Sequence, residues 1–174
     1  MKYLVFALSF ALCWFGGTNV CADQRSSILE ALRHQNMHSE SFAKLILGTF
    51  AVESDFGRNC KGNRQLGCFQ ITDATRRHLN KRYGTRYSKA KVKKSLRAGA
   101  HLAALKYKSC GVTPKNCPSG VWKRAYIWKR CYNTKRGKGT TTQFYRKYKR
   151  YVMIDKSTRK WINIGPFVIV GRDR

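Results

Sequence analysis

Acidic residues are scarce in this 174-residue chain. Only 8 Asp and Glu stand against 36 Lys and Arg, a formal net charge of +28. A near-neutral surface is therefore excluded, and the field of the whole molecule draws it to polyanions. Other things are missing too. No phosphate-binding glycine loop and no Ser-His-Asp set can be found, which argues against nucleotide hydrolysis and serine-based acyl transfer. No Cys-x-x-Cys occurs, and the histidines lie away from the cysteines, so a structural metal site is a poor choice. His34 and His38 have i,i+4 spacing but no third ligand in the pattern, which makes them a surface pair. Internal repeats and low-complexity tracts are absent. Beyond the N-terminus no apolar run is long enough to cross a membrane.

What is present fits one domain. Hydrophobic residues make up 43% of the chain, enough for a globular core at this length. Lys2, the apolar run Leu4–Gly16 and the small residues of Val20-Cys21-Ala22 read as an export signal cut after Ala22. The expected division is residues 1–22 as signal peptide, 23–150 as the folded domain and 151–174 as a basic tail. Neither Cys13 nor Cys21 follows the small residue that a lipid-anchoring cut requires. The expected location is the periplasm or the extracellular space. The remaining cysteines are Cys60, Cys68, Cys110, Cys117 and Cys131, and in an exported chain these suggest disulfides. Two short loops are bracketed by pairs, which predicts Cys60–Cys68 and Cys110–Cys117 with Cys131 free.

Helical signals dominate. Ser27 and Glu30 have the spacing of a capping box that opens a helix toward Gln35. A second helix is expected from about Ser41 to Phe56, and a third capped by Thr72 or Asp73 and stopped at Gly84. A longer one should run from Ser88 past Tyr107 to near Gly111. Pro118 suits the first turn of a helix reaching Tyr132. After Gly137-Lys138-Gly139, Thr140–Thr142 open a very basic helix to about Val152. In the tail, Tyr151–Ile154 and Trp161–Ile164 alternate about the polar Asp155–Thr158, which predicts a hairpin, with Phe167–Val170 as a further strand. Cations and aromatics interleave at Lys106–Lys108 and at Tyr145–Tyr151. That pattern suits nucleic acid as well as a solvated helix face with apolar stems; without a fixed-spacing motif, general attraction of anionic envelope polymers is the favoured partner class over nucleic acid.

One acid stands apart. Glu53 closes the apolar run Phe42–Val52 and shares a helix face with Phe42 and Ile46. A carboxyl among apolar side chains has its charged form disfavoured, which equips it to act as a general acid. It opens Glu53-Ser54-Asp55-Phe56-Gly57. Fourteen residues later comes Gly67-Cys68-Phe69-Gln70-Ile71, and further on Ala98-Gly99-Ala100-His101-Leu102 and Cys131-Tyr132-Asn133-Thr134. In this order, over roughly residues 40 to 140, the chain resembles the soluble lytic transglycosylases. Glu53-Ser54-x-Phe56 resembles their first motif. Gly67-x-Phe69-Gln70-Ile71 resembles the second, usually Gly-Leu-Met-Gln-Ile. The third lacks its usual Asn and Tyr. The fourth, usually Ala-Tyr-Asn-Ala-Gly, lacks its Gly after Thr134.

The resemblance implies a lysozyme-like, mainly α fold that cleaves peptidoglycan glycan strands without a cofactor, in the setting of a secretion or conjugation complex, a phage or wall turnover. Glu53 would be the catalytic acid and base. Ser54, Gly67, Phe69, Gln70, Ile71, Tyr132 and Asn133 would bind substrate, with Tyr132 facing Glu53 across the groove. Each has a plainer reading: Ser54 finishing a helix, Gln70 closing its own loop, Tyr132 an ordinary half-buried aromatic. The resemblance also brings Cys68 and Cys131 to one groove, so Cys68–Cys131 is the alternative pairing. Two carboxylates are usual for glycosidic cleavage. Asp55 lies on the opposite helix face and Asp73 is placed as a cap, so a one-carboxylate mechanism suits the chain better than hydrolysis assisted by Asp73. A non-catalytic cationic binder on the same scaffold is the competing class.

Overall fold

The computed structural model describes residues 17–55, 57–62, 64–132, 140–152, 163–164 and 167–168. It is mainly helical. The helices are α1 (Gly17–His34), α2 (Glu40–Ser54), α3 (Asp73–Tyr83), α4 (Lys89–Lys94), α5 (Leu96–Ser109), α6 (Val121–Ile127) and α7 (Thr140–Val152), with a π-helical segment at Trp128–Tyr132. A minimal antiparallel ribbon pairs β1 (Gln65–Leu66) with β2 (Ile71–Thr72), and another pairs β3 (Asn163–Ile164) with β4 (Phe167–Val168).

Helix α2 is the central element. Its Ser39 cap accepts from the Phe42 amide at 3.3 Å, and Phe42, Leu45, Ile46 and Phe50 are fully buried. A helix apolar on nearly every face belongs in the interior. It packs against α7 through Phe144 and Tyr148, while α1 lies along α5. The far end of α2 is shaped by Ser54. Its hydroxyl donates to the Phe50 carbonyl at 2.6 Å and accepts from the Gly57 amide at 2.8 Å. Asp55 then turns left-handed at φ 49°. The helix therefore ends at Ser54, two residues short of the expected Phe56, which itself lies outside the described residues.

Several boundaries differ from the sequence reading. Helix α1 starts at Gly17, ahead of the Ser27 capping box. Glu30 does not fold back to close that box; it pairs with Arg97 of α5. The helix expected from Ser88 to Gly111 is two helices. Ser95 adopts extended backbone, and its hydroxyl caps α5 by accepting from the Ala98 amide at 3.2 Å. A serine that offers the backbone an alternative partner breaks a helix in this way. Helix α6 begins at Val121 rather than Pro118, because the Pro118 and Ser119 carbonyls are used by the buried Arg124. Tyr151 and Val152 finish α7 and do not form a strand; Phe144, Tyr148 and Val152 repeat every four residues, a helical period. The Asp155–Thr158 turn, Met153–Ile154, Trp161–Ile162 and Ile169–Val170 lie outside the described residues, as does the apolar run Leu4–Gly16.

The disulfides are Cys60–Cys68 and Cys110–Cys131. The second corrects both the expected Cys110–Cys117 bridge and the Cys68–Cys131 alternative. The π-helical segment brings Cys131 to the end of α5 where Cys110 sits. Cys117 carries a free thiol among the described residues, and burial raises its pKa to about 11. Among the described residues no helix is long and apolar enough to cross a membrane.

Candidate active site around Glu53

Glu53 stands in the last turn of α2, partly buried. The indole N–H of Trp128 donates to its Oε1 at 3.1 Å. Trp128 is fully buried and opens the π-helical segment. The extra backbone residue of such a segment changes which side chains face inward, and π turns concentrate at functional sites. Neither the segment nor the Trp128 contact is legible in a sequence period.

Lys106 of α5 reaches the same corner. Its Nζ donates to the Tyr132 carbonyl at 2.8 Å and lies 4.0 Å from the centre of the Tyr132 ring. Burial pushes the Lys106 ammonium below the usual lysine range, while the charge of Glu53 works in the opposite direction. Tyr107 and Tyr132 stack at 5.5 Å, and the Thr49 hydroxyl is 2.6 Å from the Tyr107 hydroxyl. Burial holds both phenols well above the usual tyrosine range, and the Glu53 carboxylate adds to this. Both phenols thus remain neutral beside the acid. Lys106, Tyr107 and Trp128 do not stand out as site residues in the sequence; the interleaved Lys106-Tyr107-Lys108 run suggests a nucleic-acid surface or a solvated helix face, whereas Tyr107 is fully buried.

The Gln70 loop closes the other side. Gly67 has φ +62°, and a Cβ there would meet the Val92 carbonyl at 2.4 Å, so only glycine fits. Gln70 is also left-handed, at φ 49°. Its amide donates to the Gly67 carbonyl at 2.9 Å and the Asn59 carbonyl at 3.2 Å, so in this structure Gln70 fastens its own loop. The Asn59 amide in turn donates to the Ser54 carbonyl at 2.7 Å, joining the loop to the end of α2. Phe69 and Ile71 are core residues, and the Phe69 ring lies 5.7 Å from that of Phe50. Ser54 is fully buried and serves the helix end. The Tyr132 hydroxyl donates to the Phe69 carbonyl at 2.6 Å, so it spans to the Gln70 loop while its ring stays close enough to feel the Glu53 charge. Asn133 lies outside the described residues.

The second, third and fourth sequence segments thus meet at Phe69, and the first is joined through Trp128, four residues before Tyr132. Glu53 is tied to Trp128, Tyr132 to Phe69, and the Phe69 ring rests on Gly99, where a Cβ would lie 3.0 Å away. Asp73 is placed elsewhere in function: it sits in the first turn of α3, bound by Arg76 at 2.8 Å with Arg77 and Lys89 nearby. The Arg76 hydrogen bond holds its carboxyl below the usual range, against a smaller desolvation effect. Asp55 pairs with Lys147 at 2.8 Å. A separate cavity of about 250 Å³ opens between Gln24 and Ser27 of α1 and the Ser95–Gly99 start of α5, behind Phe69. Among the described residues no group of three or more His, Cys, Asp or Glu is arranged to hold a metal.

No family model, curated protein or solved structure matches this chain.

Proposed function

We propose that this chain is an exported, lysozyme-like lytic transglycosylase that cuts the glycan strands of peptidoglycan, with Glu53 as its acid and base. The observation that carries this reading is the acid Glu53, held by the Trp128 indole and close enough to act electrostatically on the Tyr132 phenol, which itself bonds the Phe69 carbonyl of the Gln70 loop. Glu53 in its acid form donates a proton to the bridging oxygen as the bond from C1 to that oxygen breaks. The Trp128 N–H then stabilises the carboxylate left behind. That carboxylate takes the proton of the muramic sugar's C6 hydroxyl as its oxygen bonds to C1, which closes a 1,6-anhydro ring without water. The internal attack benefits from proximity. The ion pairs around Asp73 favour this one-carboxylate route over hydrolysis assisted by Asp73. The two disulfides agree with an oxidising, exported setting.

Mass spectrometry of fragments released from purified sacculi tests the proposal. Anhydro-muramyl ends that disappear with Glu53→Gln are expected. Reducing ends would make the chain a hydrolase of the same bond. Release of no fragment by the folded wild-type protein would leave a cationic binder and end the enzymatic reading.

A further inference from the structure

Among the described residues, the large hydrophobic side chains that stand exposed are Trp122 at 52% and Tyr126 at 62%. They are four residues apart on α6, hence on one face. Tyr145 of α7 stacks on the Trp122 indole, with ring centres 4.3 Å apart and planes within 3° of parallel. The indole is thus braced from one side while half its surface stays in water. Lys123, Arg130 and Arg146 are exposed on the same two elements and the segment that follows α6. No Asp or Glu occurs anywhere between Asp73 and Asp155, so this stretch of chain supplies no carboxylate of its own to these cations.

We propose that the outer face of α6 and α7 binds single-stranded nucleic acid without sequence preference. An aromatic platform with one open face asks for a flat apolar partner, and exposed cations that outnumber the neighbouring acids ask for regularly spaced negative charge. Wall glycan offers flat sugar faces but little charge per unit. Polyol-phosphate polymers offer the charge but no flat face. A single strand of nucleic acid supplies one phosphate and one base per unit, and base stacking on aromatics is tolerant of sequence. This surface is independent of the Glu53 chemistry, so Glu53→Gln should leave binding intact.

Fluorescence anisotropy with a labelled oligo(dT) strand and an abasic deoxyribose-phosphate strand of equal length tests the idea. The protein should bind oligo(dT) more tightly, quench its Trp122 emission, and lose about fivefold or more of that affinity with Trp122→Ala. Trp122→Phe should restore most of the loss, and the abasic strand should be indifferent to both changes. Replacing Lys123, Arg130 and Arg146 by Gln should weaken both strands and flatten their salt dependence. Equal affinity for the two strands in the wild-type protein would overturn the proposal. So would a Trp122→Ala loss confined to sacculi or chito-oligosaccharide, which would assign the platform to glycan.

Discussion

Two neighbourhoods of this molecule are built from the same residue types and differ in water. Around Glu53 stand Trp128, Tyr132 and Lys106, and on the outer face stand Trp122, Tyr126 and Arg146. In the first, the rings are buried, the indole N–H is committed to a carboxylate, and the ammonium is bonded to a backbone carbonyl. In the second, both rings are more than half exposed and the cation stands in the open. Composition alone cannot separate them, because interleaved Trp, Tyr, Lys and Arg describe both. Desolvation separates them: a charge shift appears at Lys106 because burial disfavours its ion, whereas an exposed charge is screened within about 8 Å at physiological ionic strength.

The sharpest way to break this contrast is to exchange one residue in each neighbourhood. Glu53→Gln should lower sacculus cleavage about a hundredfold or more, through loss of general acid catalysis, while Trp122→Ala leaves turbidity clearance close to wild type. Equal losses would mean that the outer face belongs to the cleavage site. Next in size is the Cys110–Cys131 bridge, which spans 21 residues and anchors the buried side at Tyr132. Its removal by paired serines should cost about 3 kcal/mol in urea unfolding. A negligible change would show that the π-helical segment holds itself.

Smaller effects should follow at the partly buried cation. Lys106→Met leaves the Tyr132 carbonyl without this donor, at a cost of about 1–3 kcal/mol, whereas Arg146→Gln should stay within about 0.5 kcal/mol. Similar values for the two variants in thermal unfolding would contradict their different burial. The subtlest test is pH. His101 is buried and meets the Tyr87 hydroxyl at 2.8 Å through Nδ1. Burial first, then the charges of His34 and Lys108, lower its affinity for a proton below the ordinary 6.5. The unfolded chain therefore takes up a proton first as pH falls. The stability that neutral His101 contributes is present above about pH 6.5 and is lost as pH drops below it. His101→Gln should flatten the melting-temperature slope between neutral and mildly acidic pH; an unchanged slope would place the titrating group elsewhere.

Local chemistry explains what the sequence made legible. Thr72 and Ser88 cap their helices as short polar side chains do, Gly84 ends α3 at φ 66°, and the apolar run ending at Glu53 forms α2. The Cys60–Cys68 pair closes a short loop and could be read from its brackets. Features that depend on distant partners were not readable. Ser95 divides α4 from α5, though nothing in the alanine-rich pattern demands it. Cys131 reaches Cys110 from within a π-helical segment that no local pattern announces. Glu30 serves Arg97, 67 residues away, instead of its own helix start. At the candidate site the acid and the Gln70 loop were visible as motifs, but Gln70 spends its amide on carbonyls of the loop, and Trp128 and Lys106 are brought in by tertiary packing.

Gly99 carries a consequence of another kind. The third resembling segment lacks the polar residues usual there, yet it meets the others through something smaller. The Phe69 ring rests where a side chain at position 99 would begin, and the carbonyl of that same Phe69 receives the Tyr132 hydroxyl. Position 99 is thus a spacer of zero thickness. The alignment of two groups on the far side of the ring is gauged by atoms that α5 leaves out, and a single added methyl would be felt across the whole stack.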